Sequence, residues 1–480
     1  MTTKALLTSP VSTSDDGEYA ANLRRATLAS TAGSALEYYD FALYGLASAL
    51  IFSKLFFSHL DPATALIASF ATFGVGFVAR PLGGLFFGTI GDKLGRKWVL
   101  VVTILLMGGS STLVGALPTY ETIGNWAPIL LVFLRLCQGF GAGAEQAGAT
   151  VLMAEYAPVR SRGYFAALPF IGIQAGTLLA AGVFAYLGGL PEEVLLGWAW
   201  RIPFLASFVL ILIALFIRMR LKESPTFIEL EKHEQIAEHP MREVFSRSFG
   251  SVLRGIGLRM AENGGSYMFN SLAVAYASGT LMVNKSVGPI AVAVASLIGI
   301  FSVPAAGWVS DRIGRIPVYR IGAVVMLLLA FPGWYLMSLG EAWLIIVVIA
   351  VAIGFGVNTM LGSQCALLPE MFGNKHRYLG VAVAREFSAV IAGGLAGVLG
   401  AYLIKAYGGS WVPLAVYTFV LGAITLATTF VTPETVRRDL TRIEDALDDQ
   451  TKAGTHRSAD LRADQWNSAC QAPTHGKRGQ

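Results

Sequence analysis

Three side chains that could carry a charge or a proton share one face of the first apolar segment. Glu37, Asp40 and Tyr44 are spaced three and four residues apart, so a helix brings them to the same side. They begin about 10 residues into the segment, which is about 15 Å along a helix. An ionised carboxylate at that depth is costly unless it is paired. The pattern favours a carboxyl group that takes up and releases a proton, with a permanent ion pair to an arginine as the alternative. It does not choose between Glu37 and Asp40.

Charged residues also interrupt the second, fourth, seventh and eleventh apolar segments. Guanidinium groups bind carboxylates through two parallel hydrogen bonds, so a pocket containing several arginines could bind an anion. The neighbouring acidic residues could instead neutralise each arginine in ion-pair networks. The substrate-binding candidates are Tyr44, Arg80, Arg135, Glu145, Arg259, Glu262, Asn263, Tyr267, Asn358, Arg385 and Glu386.

The apolar segments that position these residues dominate the chain. Of its 480 residues 54% are hydrophobic and only 14% are charged, whereas soluble domains carry roughly 25% charge. A helix that spans a membrane needs about 20 apolar residues. The sequence therefore predicts an all-α integral membrane protein with twelve transmembrane helices, at about 27–55, 64–90, 98–117, 127–151, 163–187, 200–219, 252–279, 286–309, 317–338, 343–367, 378–404 and 411–431.

Lysine and arginine are concentrated in alternate loops, and the positive-inside rule places those loops in the cytoplasm. We therefore expect a multi-pass protein of the cytoplasmic (inner) membrane with both termini in the cytoplasm. The predicted organisation is a cytoplasmic N-terminal segment (1–26), a six-helix bundle (27–221), a cytoplasmic linker (222–250), a second six-helix bundle (251–431) and a cytoplasmic, largely disordered tail (432–480).

Two loops repeat one motif. GTIGDKLGRK begins at Gly88 and GWVSDRIGR begins at Gly307, which is 219 positions later (307 minus 88). Two further acidic and basic landmarks, Glu155 to Arg162 and Glu370 to Arg377, recur at an offset of 215 (370 minus 155). Parallel repeats of six helices are typical of transporters whose substrate site lies between the halves at mid-membrane.

The repeated loop could hold the two halves together at the cytoplasmic face. Its aspartate could accept hydrogen bonds from a helix N-terminus in the other half, or pair with an arginine. In the second copy Ile316 replaces a basic residue, so we expect a weaker latch there. The predicted gating residues are Gly88, Asp92, Lys93, Gly95, Arg96, Glu155, Arg162, Gly307, Asp311, Arg312, Gly314, Glu370 and Arg377.

The loop motif resembles the signature loop of the major facilitator superfamily. GSALEYYDFALYG (33–45), FVARPLGG (77–84), RLCQGFGAGAE (135–145) and KESPTF (222–227) resemble motifs of its metabolite:proton symporter family. Where that family commonly has Gly-Gly-Glu in the fourth helix, this chain has Gly-Ala-Glu at 143–145. The resemblance implies two pseudo-symmetric six-helix bundles, a latch that stabilises the outward-open state, and a substrate that is an osmolyte or a carboxylate.

The sequence predicts a transporter, and no enzyme or nucleic-acid partner. It contains no GxxxxGK[ST] phosphate loop and no HExxH or GxSxG motif, each of which would carry specific chemistry. We expect a proton-coupled symporter that imports a small polar metabolite, with an organic acid favoured, and that functions as a monomer in the lipid bilayer. The proton is the coupling ion, and no cofactor or metal is expected. The alternatives are a sugar or polyol porter or facilitator, and a proton-driven drug exporter.

Overall fold

The computed structural model describes residues 13–94, 96–143, 145–220, 248–374, 377–442 and 444–448. Side chains at 13–22, 25, 26, 29, 88–100, 145–149, 214 and 217–220 are not described within those ranges. The predicted linker, 222–250, lies outside the description except for its last three residues. Gly95 and the side chains of the rest of the first copy of the repeated loop, including Asp92, Lys93 and Arg96 after Gly88, also lie outside it, as does the side chain of Glu145.

The described residues form twelve long helices and no strand. The all-α fold class predicted from composition is therefore confirmed. The helices are α1 (Thr13–Leu50), α2 (Pro62–Leu94), α3 (Arg96–Ala116), α4 (Trp126–Ala142 and Glu145–Tyr156), α5 (Val159–Gly188), α6 (Arg201–Arg220), α7 (Phe249–Tyr267, continued by wider turns to Thr280), α8 (Val287–Ile313), α9 (Arg315–Ser338), α10 (Ala342–Met371), α11 (Arg377–Ala406) and α12 (Val412–Val431).

Most of these helices can span a membrane by length and composition alone. Within the described part of the chain, eight segments meet that standard, and they lie in α2, α5, α6 and α8 to α12. Helices α3 and α4 add shorter apolar helices, Val101–Ala116 and Trp126–Ala142. Helices α1 and α7, the first of each half, do not meet this standard of length and composition because charged and amide side chains interrupt them. The two least apolar helices are thus the ones that carry many of the candidate site residues.

The two halves meet along two seams where backbones approach closely. In the seam between α2 and α11, a Cβ atom on Gly74 would lie 2.9 Å from the carbonyl oxygen of Gly394. In the seam between α5 and α8, a Cβ on Gly163 would lie 2.5 Å from the carbonyl oxygen of Gly307. Small residues permit such approach between membrane helices. The seams enclose the space in which a site shared by both halves can lie.

Residues 13–26 of the predicted N-terminal segment are helical, and the stretch after α12 departs from the predicted disorder. Residues 432–442 and 444–448 pack against α7 and α10, and the prediction of disorder is wrong for this stretch. Asp445 accepts hydrogen bonds from Ser251 at 2.8 Å and from the backbone N–H of Gly373 at 2.9 Å. Arg438 donates to the carbonyl oxygen of Glu370 at 2.8 Å. Helix ends leave carbonyl groups unbonded, and this stretch satisfies them at the end of α10.

Candidate functional site

A small cavity of about 50 Å³ lies between the halves near the middle of the helices. It has room for a few water molecules in this conformation. The first half contributes aromatic and neutral polar side chains, and the second half contributes amides, hydroxyls and one carboxylate. The polar and aromatic lining residues are Tyr38, Phe41, Gln174, Thr177, Glu262, Asn263, Ser266, Tyr267, Asn270, Ser271, Ser296 and Asn358.

The structure brings some of the predicted candidates to this cavity and holds others away. Glu262, Asn263, Tyr267 and Asn358 line it. The candidates that do not line it are Tyr44, Arg80, Arg135, Arg259, Arg385 and Glu386. Sequence reasoning missed Tyr38, Gln174, Thr177, Ser266 and Asn270 as site residues. The signal for these residues in the sequence is an amide or hydroxyl group inside a helix, whereas most of the predicted candidates are charged.

Amide groups give the cavity its unmet hydrogen-bonding capacity. The Nδ2 atoms of Asn263 and Asn358 and the Oδ1 atom of Asn270 have no hydrogen-bond partner among the described residues. Leaving a buried polar group unsatisfied costs about 1–3 kcal/mol. Asn263 and Asn358 are only 6% and 1% exposed. These amide groups are therefore suited to bind a polar ligand that enters the cavity from either side of the membrane.

Asp40 lies in the first half among hydroxyl and amide groups. The hydroxyl of Ser207 on α6 donates to Asp40 Oδ1 at 2.7 Å, and the hydroxyl of Ser111 on α3 also acts on its carboxyl group. Gln138 on α4 donates to Ser111 at 2.7 Å. Within the described ranges, no lysine, arginine or histidine nitrogen lies within 4 Å of the Asp40 carboxylate. A buried carboxyl group with such partners can accept a proton without breaking an ion pair.

Arg135 is a cation that interacts electrostatically with Asp40, and it is held by aromatic rings. Its guanidinium carbon lies 4.6 Å from the ring centre of Phe41, 4.4 Å from that of Tyr44 and 4.8 Å from that of Phe73. Cation–π contacts of this kind stabilise a desolvated guanidinium. Because Phe41 also lines the cavity, its ring separates Arg135 from the ligand space.

Glu37 differs from Asp40 because it is ion-paired. Arg80 Nη2 lies 3.1 Å from Glu37 Oε1 within the first half, and Arg80 Nε lies 2.9 Å from Glu386 Oε2 on α11 of the second half. All three side chains are at most 5% exposed. Arg80 therefore connects the two halves, and its guanidinium group is already engaged by two carboxylates instead of by a bound anion. The geometry separates the two acidic residues that the sequence left equivalent.

The remaining arginines are also engaged. Arg259 lies 3.4 Å from Glu262 and donates to the hydroxyl of Ser388 at 2.7 Å. With its amide nitrogen toward Glu262, Gln364 donates to that carboxylate at 3.3 Å and accepts from Arg259 at 2.5 Å. Arg385 lies over the ring of Phe170, 5.6 Å from its centre. In this conformation none of these arginines lines the cavity, and Arg80 and Arg259 are in ion pairs, the alternative that the sequence also allowed. Whether an arginine binds an anion stays a prediction.

Two ion pairs join the halves at the end of the bundle that carries Glu155, Arg162, Asp311, Glu370 and Arg377, which we call the basic end. Arg162 lies 3.0 Å from Glu370, and Arg377 lies 2.9 Å from Glu155. Asp311 accepts hydrogen bonds from the backbone N–H groups at 163 and 164 in α5, at 2.7 Å and 2.9 Å. This contact combines a carboxylate with the positive end of a helix dipole.

The second copy of the repeated loop supports this closure in two further ways. Arg315 pairs with Asp311 at 2.7 Å and with Glu370 at 3.0 Å. Gly314 has a φ of 105°, a value that residues with a Cβ rarely adopt. Arg312 stacks on the ring of Trp308 at 3.5 Å, so it takes no part in the ties. Whether this copy is the weaker latch stays a prediction, because the side chains of the first copy are not described.

The opposite end of the bundle, which we call the distal end, is also closed. Lys285 lies 3.0 Å from Glu192, and Lys405 lies 3.5 Å from Asp61. A Cβ on Gly188 would lie 2.9 Å from the backbone of Lys285. Because the halves touch at both ends, the structure corresponds to a closed conformation around a small central cavity.

The chain is similar to characterised and solved transporters along most of its length. The profile described as "Sugar (and other) transporter" matches residues 26–247, and "Major Facilitator Superfamily" matches residues 257–470. The shikimate transporter of Escherichia coli (strain K12) is 37% identical over 401 residues, which is 82% of this chain and 91% of that protein. The proline/betaine transporter of the same strain is 36% identical over 453 residues, which is 92% of this chain and 88% of that protein. This chain belongs to the metabolite:proton symporter family of the major facilitator superfamily.

The solved structures agree with this family at the level of the fold. A proton:xylose symporter bound to 6-bromo-6-deoxy-D-glucose has a TM-score of 0.68 and 19% identity, covering 88% of this chain and 98% of that one. The predicted family and the major facilitator fold are confirmed. This family member is a multi-pass membrane transport protein.

Proposed function

We propose that the protein is a proton-coupled symporter that imports a small organic acid across the bacterial inner membrane. The basic end and both termini would lie in the cytoplasm, in accord with the loop charges. The halves would rock around the central cavity and expose it to one side at a time. The relatives named for shikimate, proline and betaine support a small solute that carries a carboxylate.

The placement of Asp40 is the observation that carries proton coupling. Asp40 is 5% exposed, its carboxylate accepts from the hydroxyl of Ser207, and the next residue, Phe41, lines the cavity. Ionisation there adds a negative charge next to Arg135, and protonation removes it. Since Phe41 contacts both Arg135 and the ligand space, a change in this charge can alter the cavity wall. Asp40 is thus the proposed proton carrier, and Glu37 is proposed to have a structural role in the Arg80 tie.

Uptake by reconstituted vesicles tests this function. Wild-type protein should concentrate radiolabelled shikimate, proline or glycine betaine when the outside is acidic, and an uncoupler should abolish the accumulation. Asp40→Asn should keep exchange of internal for external substrate but lose gradient-driven accumulation. Ser207→Ala is the matched control, since it removes one hydrogen bond and leaves the carboxyl group. Equal accumulation by Asp40→Asn and wild type would exclude Asp40 as the carrier, and accumulation unaffected by the uncoupler would exclude symport.

A neutral polyol is a second candidate substrate. Glu262 is the single charged residue among those that line the cavity within the described chain, and amides and hydroxyls suit the hydroxyl groups of a sugar. The match of residues 26–247 to the sugar transporter profile points the same way. Competition decides between the classes: excess xylose or inositol should not reduce uptake of the acid. Gradient-driven uptake of a polyol in preference to all three carboxylates would favour the second candidate.

A further inference from the structure

One side-chain hydrogen bond crosses from half to half inside the cavity. Gln174 on α5 donates from Nε2 to Asn358 Oδ1 on α10 at 3.0 Å. Both residues line the cavity, and they are 5% and 1% exposed. Because Asn358 Oδ1 is occupied by this bond, the orientation of the amide is fixed. Its Nδ2 donor is left without a partner among the described residues.

Gly299 on α8 makes room for this pair. A Cβ atom at Gly299 would lie 2.3 Å from Gln174 Oε1 and 2.6 Å from Asn358 Nδ2. The corresponding position in the first half is Arg80, at the same offset of 219 (299 minus 80) as the repeated loops. The α2–α11 seam therefore contains the ion pair of Arg80 with Glu386. The α5–α8 seam instead contains a glycine beside the uncharged hydrogen bond from Gln174 to Asn358.

We propose that the carboxylate of the substrate is bound by the neutral amide donors of Asn358 and Asn263, and that Gln174 is a positioning residue which holds the Asn358 amide for it. This inference rests on the proposed function and names the residues that recognise the acid. Both Nδ2 donors are unpartnered in the described structure, and both residues line the same cavity.

Neutral donors suit a transported anion better than arginine does at this place. A bidentate guanidinium binds carboxylate strongly, and a substrate bound in this way is slow to leave. Amide N–H groups that are fixed in advance offer hydrogen bonds without adding a second buried charge. Glu262 does not exclude an anion, because Arg259 lies 3.4 Å from its carboxylate. A weak, fixed and neutral anchor therefore permits both binding and release.

Binding by the purified, detergent-solubilised full-length protein tests the inference without a proton gradient. Calorimetry would compare shikimate with its methyl ester and proline with prolinamide, so that each carboxylate has an analogue without it. Wild type should bind at least one carboxylate about 10-fold more tightly than its analogue, because hydrogen bonds to charged groups are the stronger ones. Asn358→Asp replaces the donor by a charged acceptor of the same size. It should weaken the binding of that carboxylate about 100-fold.

Gln174→Met tests the positioning role, since it keeps the volume and removes the donor. It should raise the KM for uptake of the carboxylate about 10-fold, with the maximal rate little changed, and should reduce the preference over the analogue. Gly299→Ala should act in the same way because both amides must move. Gly182→Ala on α5, where an added Cβ meets nothing within 4 Å, is the matched control and should resemble wild type.

Three results would overturn the inference: no carboxylate bound by wild type, unchanged affinity in Asn358→Asp, or equal weakening of acid and analogue in Gln174→Met. Thermal melting of each variant identifies loss of folding, and the Gln174→Met selectivity still decides if Asn358→Asp does not fold. Selective carboxylate binding without gradient-driven uptake would refute the proposed symport and leave this inference standing. Gradient-driven uptake with unaltered selectivity in Gln174→Met would refute only this inference.

Discussion

The two ion pairs that join the halves at the basic end have the same chemistry but different burial. The side chains of Arg162 and Glu370 are 4% and 0% exposed, whereas those of Arg377 and Glu155 are 2% and 36% exposed. Water screens an exposed pair much more than a buried one. We therefore predict that Arg162→Gln opens the basic end far more than Arg377→Gln does.

The contacts that break on opening set the size of this difference. Arg162 makes two bonds to the second half, to Glu370 at 3.0 Å and to the carbonyl oxygen of Arg438 at 2.8 Å. Glu370 keeps Arg315 at 3.0 Å, so the substitution leaves no isolated buried charge. At about 1.5 kcal/mol for each charge-assisted bond, the loss is about 3 kcal/mol, or about 100-fold in the ratio of open to closed molecules. A pair with one partner exposed to water contributes about 0.2–1 kcal/mol, so Arg377→Gln should change the ratio about 1.4- to 5-fold.

Distances between spin labels on the two halves measure this ratio. Arg160 and Asn374 are exposed at the basic end of the first and second half, and each would be replaced by a labelled cysteine. The native cysteines at 137, 365 and 470 would be replaced by serine or alanine. The long-distance population should grow strongly in Arg162→Gln and slightly in Arg377→Gln. Equal growth in the two variants, with both folded, would refute the argument from burial.

Two further predictions concern the distal end and the helix packing. The hydroxyl and backbone N–H of Thr64 hold the pKa of the Asp61 carboxyl below its ordinary value. The group therefore stays ionised near neutral pH, and its ion pair with Lys405 is lost only when acid protonates the carboxylate. Asp61→Asn should therefore leave the shape of the uptake profile between about pH 5 and 8 unchanged, and a displaced profile would contradict this. A Cβ on Gly172 would lie 2.0 Å from the carbonyl oxygen of Thr31, so Gly172→Ala should separate α1 from α5 and cost about 1–3 kcal/mol of stability. Thermal melting should show the loss in Gly172→Ala but not in Gly182→Ala, and equal melting of the two would argue against close packing there.

The sequence was most informative where charge must be explained. A carboxylate or guanidinium in an apolar helix is costly, so Glu37, Asp40 and Arg80 could be predicted to be buried inside the bundle from their positions alone. Their partners could not be recognised in the same way. Arg80 and Glu386 are 306 residues apart in the chain, and their contact depends on how the second half packs against the first.

The cavity itself was harder to predict because its lining is mostly uncharged. Gln174 lies in α5 among residues that are largely apolar or small, and a single amide there has the same periodicity as a packing residue. Whether such an amide lines a site or only packs against a neighbouring helix depends on which side of its helix faces the other half. The order of residues 432–442 and 444–448 could not be predicted for a related reason, since a polar stretch without periodicity can still be ordered when helix ends offer it hydrogen bonds.

The ties at the basic end also have the form of a contact between two identical subunits. Each half supplies one glutamate and one arginine, and both pairs of equivalent positions are separated by 215 residues (370 minus 155 and 377 minus 162). In a two-fold symmetric dimer, residue i of one subunit contacts residue j of the other, and the reverse contact follows from symmetry. A single six-helix half with this glutamate and arginine could therefore close against a second copy of itself. In one chain the two pairs need not be identical, and here one pair is buried while the glutamate of the other is 36% exposed.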